Sequence, residues 1–414
     1  MSGLNQVRGT RDLLPEDARR HRRVVELARS IAERYGYLEA HTPILELTEV
    51  FKRTLGDTSD VVTKEMYTFT DKGGEVVTMR PEATAGIARA LITGGLAQDL
   101  PLKLFTHGPM FRYERPQKGR LRQFHQIDVE LLGVAEPQGD VEVIALGAHV
   151  LEALGVLGAT TLELNTLGDA ESRAAYRAAL VGYLSGHKDG LSQDSRDRLE
   201  RNPLRILDSK DEGDRRIVAG APHFGDSLNA ASRDFYGAVK AGLDALGVAY
   251  TENARLVRGL DYYCHTAFEF TTTALGAQGA VLAGGRYDGL VATMGGPQVP
   301  GIGWAAGIER LSMLLAEAPP PPRPIAIVPI GHAAEAEALA LAARLRRDGF
   351  AVELGYRGKP AQRLKRADKL GAVAAVLIGE DELKAGAATV RDLATGTQEG
   401  VAFARLDEHL ARYR

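Results

Sequence analysis

Five of the six residues from Pro319 to Pro324 are proline. Proline fixes φ and lacks an N–H, so a helix that reaches such a run ends there and the segment becomes an extended, semi-rigid spacer. The chain is therefore expected to fold as two parts, about 1–320 and 325–414. Before the run, Gly303 to Glu317 reads as a helix. After it come a strand over Ile325 to Ile330, a helix over 333–347, a strand over 350–355, a helix over 360–370 and a strand over 373–378. Further strands are expected near 387–391 and 399–403. This alternation predicts a small α/β domain with a largely parallel sheet. Between Arg344 and Lys369 stand nine Lys or Arg against three Asp or Glu, an excess that suits either a helix surface or a phosphate-contacting face.

The first 320 residues lack that alternation. A helix is predicted from about Glu16 to Tyr35, with an apolar stripe of Val24, Val25, Leu27, Ala28, Ile31, Ala32 and Tyr35 and with Gly36 to end it. From there to about Phe270 strands and helices mix without order, which predicts an α+β fold with an antiparallel sheet. About 168–245 is polar and rich in Ala, Arg and Asp, and reads as a helical insertion with few candidate site residues. Strand-like segments return at 249–257 and 266–270. Formal charge is −3, which argues against a globally basic nucleic-acid binder. A single cysteine, Cys264, excludes a disulfide framework and reads as a small buried residue. No apolar run approaches the roughly 20 residues of a membrane span. The N-terminus has no signal-peptide pattern, so a cytoplasmic protein is expected.

Phe111 to Glu130 reads Phe-Arg-Tyr-Glu-Arg-Pro-Gln-Lys-Gly-Arg-Leu-Arg-Gln-Phe-His-Gln-Ile-Asp-Val-Glu. Five cations lie between Arg112 and Arg122, with Glu114 the one carboxylate among them. Pro116 and Gly119 interrupt the run, which gives strand, loop, strand. Arginine forks at the base of such a hairpin suit a polyphosphate, and the tip can reach a second anionic substrate. A solvated basic hairpin would carry the same charges.

Four further segments accompany the hairpin: Arg8-Gly-Thr-Arg-Asp-Leu-Leu-Pro15, Thr78-Met-Arg-Pro-Glu-Ala-Thr84, Arg258-Gly-Leu-Asp-Tyr-Tyr263, and Gly284-Gly-Arg-Tyr-Asp288 followed by Gly301-Ile-Gly-Trp-Ala-Ala-Gly-Ile-Glu-Arg310. In this order, over Arg8 to about Phe403, the set resembles the histidyl-tRNA synthetases, which are class II aminoacyl-tRNA synthetases. The hairpin looks like class II motif 2. Gly301 to Arg310 looks like motif 3, whose arginine opens a helix. Arg258 to Tyr263 looks like a signature peculiar to histidyl enzymes, and the residues after the prolines resemble the class II anticodon-binding domain.

The resemblance implies joining of histidine to ATP, then transfer of histidine to the 3′ end of tRNA(His). The amino-acid carboxylate is the nucleophile, so alignment and charge neutralisation are required rather than a Ser or Cys. The matched positions put Arg112 and Arg258 on the α-phosphate, Arg310 on the terminal phosphate, and Glu114 and Phe124 on adenine. Glu130 and Tyr263 would bracket the imidazole nitrogens, Glu82, Thr84 and Gln126 would hold the α-amino group, and Tyr287 would form the pocket wall. Gln117 would read the acceptor end. Magnesium is expected with ATP, held mainly by phosphates, and a homodimer built partly by Pro43 to Arg53; no resident metal site is expected.

Several of these residues have plainer readings. Tyr262 and Tyr263, adjacent in a strand, would point to opposite faces, which makes one of them core. Glu82 after Pro81 also suits a helix start. Gly301-x-Gly303 before a helix resembles a phosphate-binding turn. His107 and His125 read as structural. Ala83 and Ala283 stand where the family commonly has Gly. Asp128, on one strand face with Gln126 and Glu130, would add charge beside the imidazole and tune affinity only. The alternative function is a catalytically silent relative that acts as a regulatory subunit in histidine biosynthesis; the anticodon-like tail and the three arginines argue against it.

Overall fold

The structure, a computed structural model, describes residues 4–56, 59, 61–257, 262–276 and 279–413. It divides into two compact units, Met1–Pro319 and Pro320–Arg414, and the division falls inside the proline run.

In the first unit the strands are β1 Leu38–Glu39, β2 Leu45–Leu47, β3 Tyr67–Thr70, β4 Val76–Met79, β5 Leu102–Phe111, β6 Gln123–Leu132, β7 Thr161–Thr166, β8 Thr251–Glu252, β9 Cys264–Thr271, β10 Ala280–Arg286 and β11 Gly301–Gly307. The helices are α1 Pro15–Arg34, α2 Thr48–Leu55, α3 Thr84–Thr93, α4 Pro137–Ala153, α5 Ala170–Ser185, α6 Gln193–Arg201, α7 Glu212–Val218, α8 Ala230–Ala245, α9 Leu290–Thr293 and α10 Ile308–Leu314. Among the described residues, eight strands form one sheet in the order β1-β5-β6-β11-β10-β9-β7-β8. Its pairings are antiparallel except β1 with β5 and β7 with β8. β2, β4 and β3 form a separate antiparallel sheet.

Alternation along β6 decides what each face does. Ile127, Val129 and Leu131 enter the core built with α1, α4 and α10, while Gln126, Asp128 and Glu130 share the opposite face. On that face β11 sets Gly307, Ala305 and Gly303 directly across from them. β10 continues the row with Ala283 and Gly285. The floor is thus paved with small residues, which leaves depth for a ligand. On the core side, Trp304 closes the packing and donates its indole N–H to the Val143 carbonyl at 3.0 Å.

Three expectations change. Gly303 to Glu317 is not one helix: its first part is β11, and only Ile308–Leu314 is helical. β11 lies between two strands and its cavity face carries only Gly303, Ala305 and Gly307, so the sequence shows no polar–apolar alternation to mark a strand. The strand expected at 249–257 is only the two residues of β8. The block 168–245 is helical, but Tyr236, Val239 and Leu243 of α8 belong to the main core with α4, so its last helix is not part of a detached insertion.

The second unit has β12 Ile325–Pro329, α11 Glu335–Arg347, β13 Val352–Leu354, α12 Pro360–Lys369, β14 Ala374–Ile378, α13 Glu380–Ala385, β15 Ala387–Asp392, β16 Gln398–Ala402 and α14 Leu406–Leu410. Its sheet, β13-β12-β14-β15-β16, is parallel on one side of β14 and antiparallel on the other, a mixed sheet rather than a largely parallel one. The last two strands follow one another through a short turn, where no helix fits to make a crossover. Part of the basic excess is internal: Arg344 pairs with Asp407 at 3.2 Å and Arg366 with Glu353 at 2.7 Å. Among the described residues, no helix is long and apolar enough to cross a membrane.

Arg286 of β10 and Asp140 of α4 form an ion pair with no exposure on either side chain. Arg286 also donates to the Val134 carbonyl at 2.9 Å and to Asp288 at 3.0 Å. A lone charge left at such a site is far more costly than the pair. Asp140→Ala is expected to lower unfolding free energy by about 3–5 kcal/mol in denaturant titration, and a loss under about 1 kcal/mol would contradict this role.

Candidate active site

The cavity over the paved floor is lined along one side by Arg112, Glu114, Gly119, Arg120, Phe124, Glu309 and Arg310, and toward its other end by Glu82, Thr84, Gln126, Asp128, Tyr262, Tyr263 and Tyr287. Residues that the sequence scatters over more than 200 positions therefore meet in one place. Arg258, assigned to the α-phosphate, lies outside the described residues.

The basic side is held by its own carbonyls. Arg112 donates from Nε to the Pro81 carbonyl at 2.9 Å, and its guanidinium lies 5.3 Å from the centroid of Phe124. Arg310, on the first turn of α10, donates from Nε to the Gly119 carbonyl at 3.0 Å and from Nη1 to the Ala280 carbonyl at 2.5 Å. Burial, and then the neighbouring Arg120, draws the Arg310 guanidinium below its usual value. Glu114 is paired with Arg120 across the hairpin loop. Gln117 is exposed at the tip, where its backbone exchanges hydrogen bonds with Arg120 at 3.1 and 2.9 Å. It is therefore apart from the cavity.

Glu309, which the sequence reading passed over, fixes this side. Its carboxylate accepts the His125 backbone N–H at 3.1 and 2.9 Å and meets His125 Nδ1 at 2.8 Å. That contact ties β6, which carries Phe124, to α10, which carries Arg310. His21 stacks edge-on against His125 at 5.4 Å. His21, His125 and Glu309 are close enough to share an ion, as are Glu39, His41 and His107. The hydrogen bonds from His125 already account for the Glu309 carboxylate.

The opposite end is rich in carboxylates. Glu82 accepts the Thr84 and Ala85 backbone N–H groups at 2.8 and 2.9 Å, so it caps α3 and lines the cavity at once. The helix-start reading of Glu82 is thus compatible with a place on the cavity wall. Glu130 is only 1% exposed and is not on the cavity wall. Thr84 Oγ1 donates to its Oε1 at 2.5 Å and the Tyr287 hydroxyl donates to its Oε2. Burial pushes its carboxyl up to about 8, against the lowering effect of those two hydrogen bonds. A β-carbon at Gly303 would collide with this carboxylate, and one at Gly301 would collide with the Tyr287 ring. Both positions need glycine for close approach.

Tyr262 and Tyr263 do not point to opposite faces. Both precede β9, their ring centroids are 4.5 Å apart, and both line the cavity. The alternation rule fails because the pair lies outside the strand. Glu269 of β9 and Ala283 of β10 also face the cavity, and Ala83 is buried at the start of α3. Cys264 is half-buried, and burial pushes its thiol up to about 12.

The sequence and the fold are similar to those of known proteins. Residues 9–311 match the family of histidyl-tRNA synthetases, and residues 324–412 match the anticodon-binding domain. A histidine–tRNA ligase of Rhodospirillum rubrum is 62% identical over 414 residues, all of both chains. The crystal structure of apo histidyl-tRNA synthetase from S. aureus superposes with a TM-score of 0.83 at 35% identity, over 98% of this chain and 99% of that one. The fold is also that of a Bacillus halodurans protein described as an ATP phosphoribosyltransferase regulatory subunit/histidyl-tRNA synthetase, with a TM-score of 0.61 at 23% identity, covering 87% of this chain and 96% of that one. With the family match running through the whole catalytic unit and the full-length identity beside it, the chain belongs to the histidyl-tRNA synthetases.

Proposed function

We propose that the protein is a histidine–tRNA ligase whose cavity activates histidine with ATP. The observation that carries this reading is the lining of one cavity: the guanidinium groups of Arg112, Arg120 and Arg310 meet the carboxylates of Glu82 and Asp128 and the phenols of Tyr262, Tyr263 and Tyr287 over a floor of glycine and alanine. In the first step an oxygen of the histidine carboxylate bonds to the α-phosphorus, the bond to the bridging oxygen breaks, and pyrophosphate leaves. Arg112 and Arg310 neutralise the triphosphate, and each is held in place before substrate arrives. Phe124 offers a face for adenine. Glu114, oriented by Arg120, accepts from the exocyclic amine. In the second step the terminal ribose hydroxyl of tRNA attacks the adenylate carbonyl and AMP leaves. Gln117 at the hairpin tip meets the acceptor end, and the second unit takes the anticodon.

Mg²⁺ enters with ATP. Hard oxygen donors suit it, and Glu269 on the cavity wall is the carboxylate that would hold it beside the phosphates. When bound it would share the charge of the departing pyrophosphate.

Glu130 works one layer back. Its carboxylate accepts hydrogen bonds from the Thr84 and Tyr287 hydroxyls, which leaves the hydroxyl lone pairs for ligand N–H groups. Together with Tyr263, this gives an imidazole-sized end that penalises an apolar side chain by leaving buried polar groups unpaired.

The exposed face of the small sheet supports the homodimer. Leu45, Leu47 and Phe69 share that face and are about half exposed, an apolar surface suited to a second copy of this chain. Leu47→Lys with Phe69→Lys is expected to halve the mass in sedimentation velocity, whereas a monomeric wild type, or a double variant that stays dimeric, would contradict it.

Exchange of labelled pyrophosphate into ATP, run with each standard amino acid, tests the main reading. Histidine alone should support exchange. No exchange from a folded, histidine-binding protein would favour the regulatory alternative. Glu130→Gln, whose amide donates where a carboxylate oxygen accepts, should lower kcat/KM for histidine by at least about tenfold; an unchanged value would remove Glu130 from recognition.

A further inference from the structure

Asp128 is a buried group of this cavity that the steps above leave unused. It stands in the middle of the cavity-facing row of β6, with Ala305 across from it on β11 and Thr106 on β5. It is 1% exposed, and its Oδ2 meets no donor among the described residues. Gln126 Oε1, two residues away on the same face, is also buried without a donor. The other carboxylates at this end already have donors. Glu82 accepts from two backbone N–H groups and Glu130 from two hydroxyls. Thr106 Oγ1 is itself unpartnered and does not serve Asp128.

A buried carboxylate without a partner is unfavourable, and a bound cation removes the penalty. An amino acid at neutral pH carries one obligatory cation, the α-ammonium, with three N–H donors. We propose that Asp128 is a direct ligand of the substrate: its Oδ2, together with Gln126 Oε1, accepts from the α-ammonium of histidine. This goes beyond charge tuning at a distance. It rests on the reading of the cavity as an amino-acid site. Burial, and then Glu130 and Glu82, raises the Asp128 carboxyl well above its usual range. Arg80 and Arg112 are the cations that oppose this rise. Arg80 spends Nε on the Pro109 carbonyl and Nη1 on the Thr42 carbonyl, at 3.0 and 3.1 Å.

Calorimetric binding of three ligands to the full chain tests the assignment: L-histidine, L-histidinol, which keeps the amine and lacks the carboxylate, and 3-(imidazol-4-yl)propanoate, which lacks the amine. Asp128→Asn should weaken histidine and histidinol by roughly ten- to a hundredfold and leave the propanoate within about twofold. Equal weakening of all three would mean a general structural role, and no weakening of any would mean no contact; either overturns the proposal. Thermal melting gives a second readout. Ligand-free Asp128→Asn should melt at or above the wild type, because a buried ionisable carboxyl with an unpartnered oxygen has been removed, and a lower midpoint would contradict it. Asp128→Ser repeats the ligand series in a smaller side chain. A wild type that binds none of the three ligands would instead sink the amino-acid-site reading itself.

Discussion

A carboxylate in the middle of a covered sheet needs hydrogen-bond donors, and Glu130 places that demand on its surroundings. Thr84 and Tyr287 supply the donors. Thr84 can do so because Glu82 caps the start of α3 and fixes that turn. Tyr287 can do so because Gly301 leaves room for its ring, and Gly303 leaves room for the carboxylate itself. One buried acid thus explains a helix start, two glycines and a phenol that are far apart in the chain.

The cavity has two electrostatic ends on one rigid floor. The guanidinium end is held by backbone carbonyls, and the acidic end by hydroxyls and backbone amides. In both, the polar groups are oriented before a ligand arrives, which is the condition under which electrostatic stabilisation costs little reorganisation. The Arg286–Asp140 pair fastens the same floor to α4 from its end. Glu309 fastens β6 to α10. Recognition and fold stability therefore draw on the same strands.

Much of this was legible in the sequence. The proline run marked the division into units, and the strand and helix order of the second unit followed from local periodicity. Arg112, Glu114, Phe124 and Arg310 were named as a group only through the motifs that the resemblance matched, and the fold brings them to one cavity. What failed depended on burial or on distant pairing. β11 read as a helix because its cavity face carries only glycine and alanine, so polar–apolar alternation is missing from the sequence. Tyr262 was set apart from Tyr263 by a strand rule that does not apply before β9 begins. Nothing local in the sequence shows that Thr84 and Tyr287 donate to Glu130, which the resemblance set beside an imidazole nitrogen. Glu309 and Arg286 gain meaning only through His125 and Asp140, far away in the chain. Asp128 was visible as a strand neighbour, but its lack of a donor is a property of the folded cavity.

The central claim is that histidine completes a desolvated acidic site. Burial pushes the Glu130 carboxyl up to about 8, so the carboxylate that accepts from Thr84 and Tyr287 exchanges with its protonated acid near neutral pH in the empty cavity. Ligand N–H groups that need the lone pairs of Thr84 and Tyr287 favour the carboxylate form. Titration calorimetry of histidine binding at neutral pH, in buffers of different ionisation enthalpy, reads the proton balance directly. The account predicts net proton release, diminished in Glu130→Gln. Binding without any proton change, or with proton uptake, would contradict it.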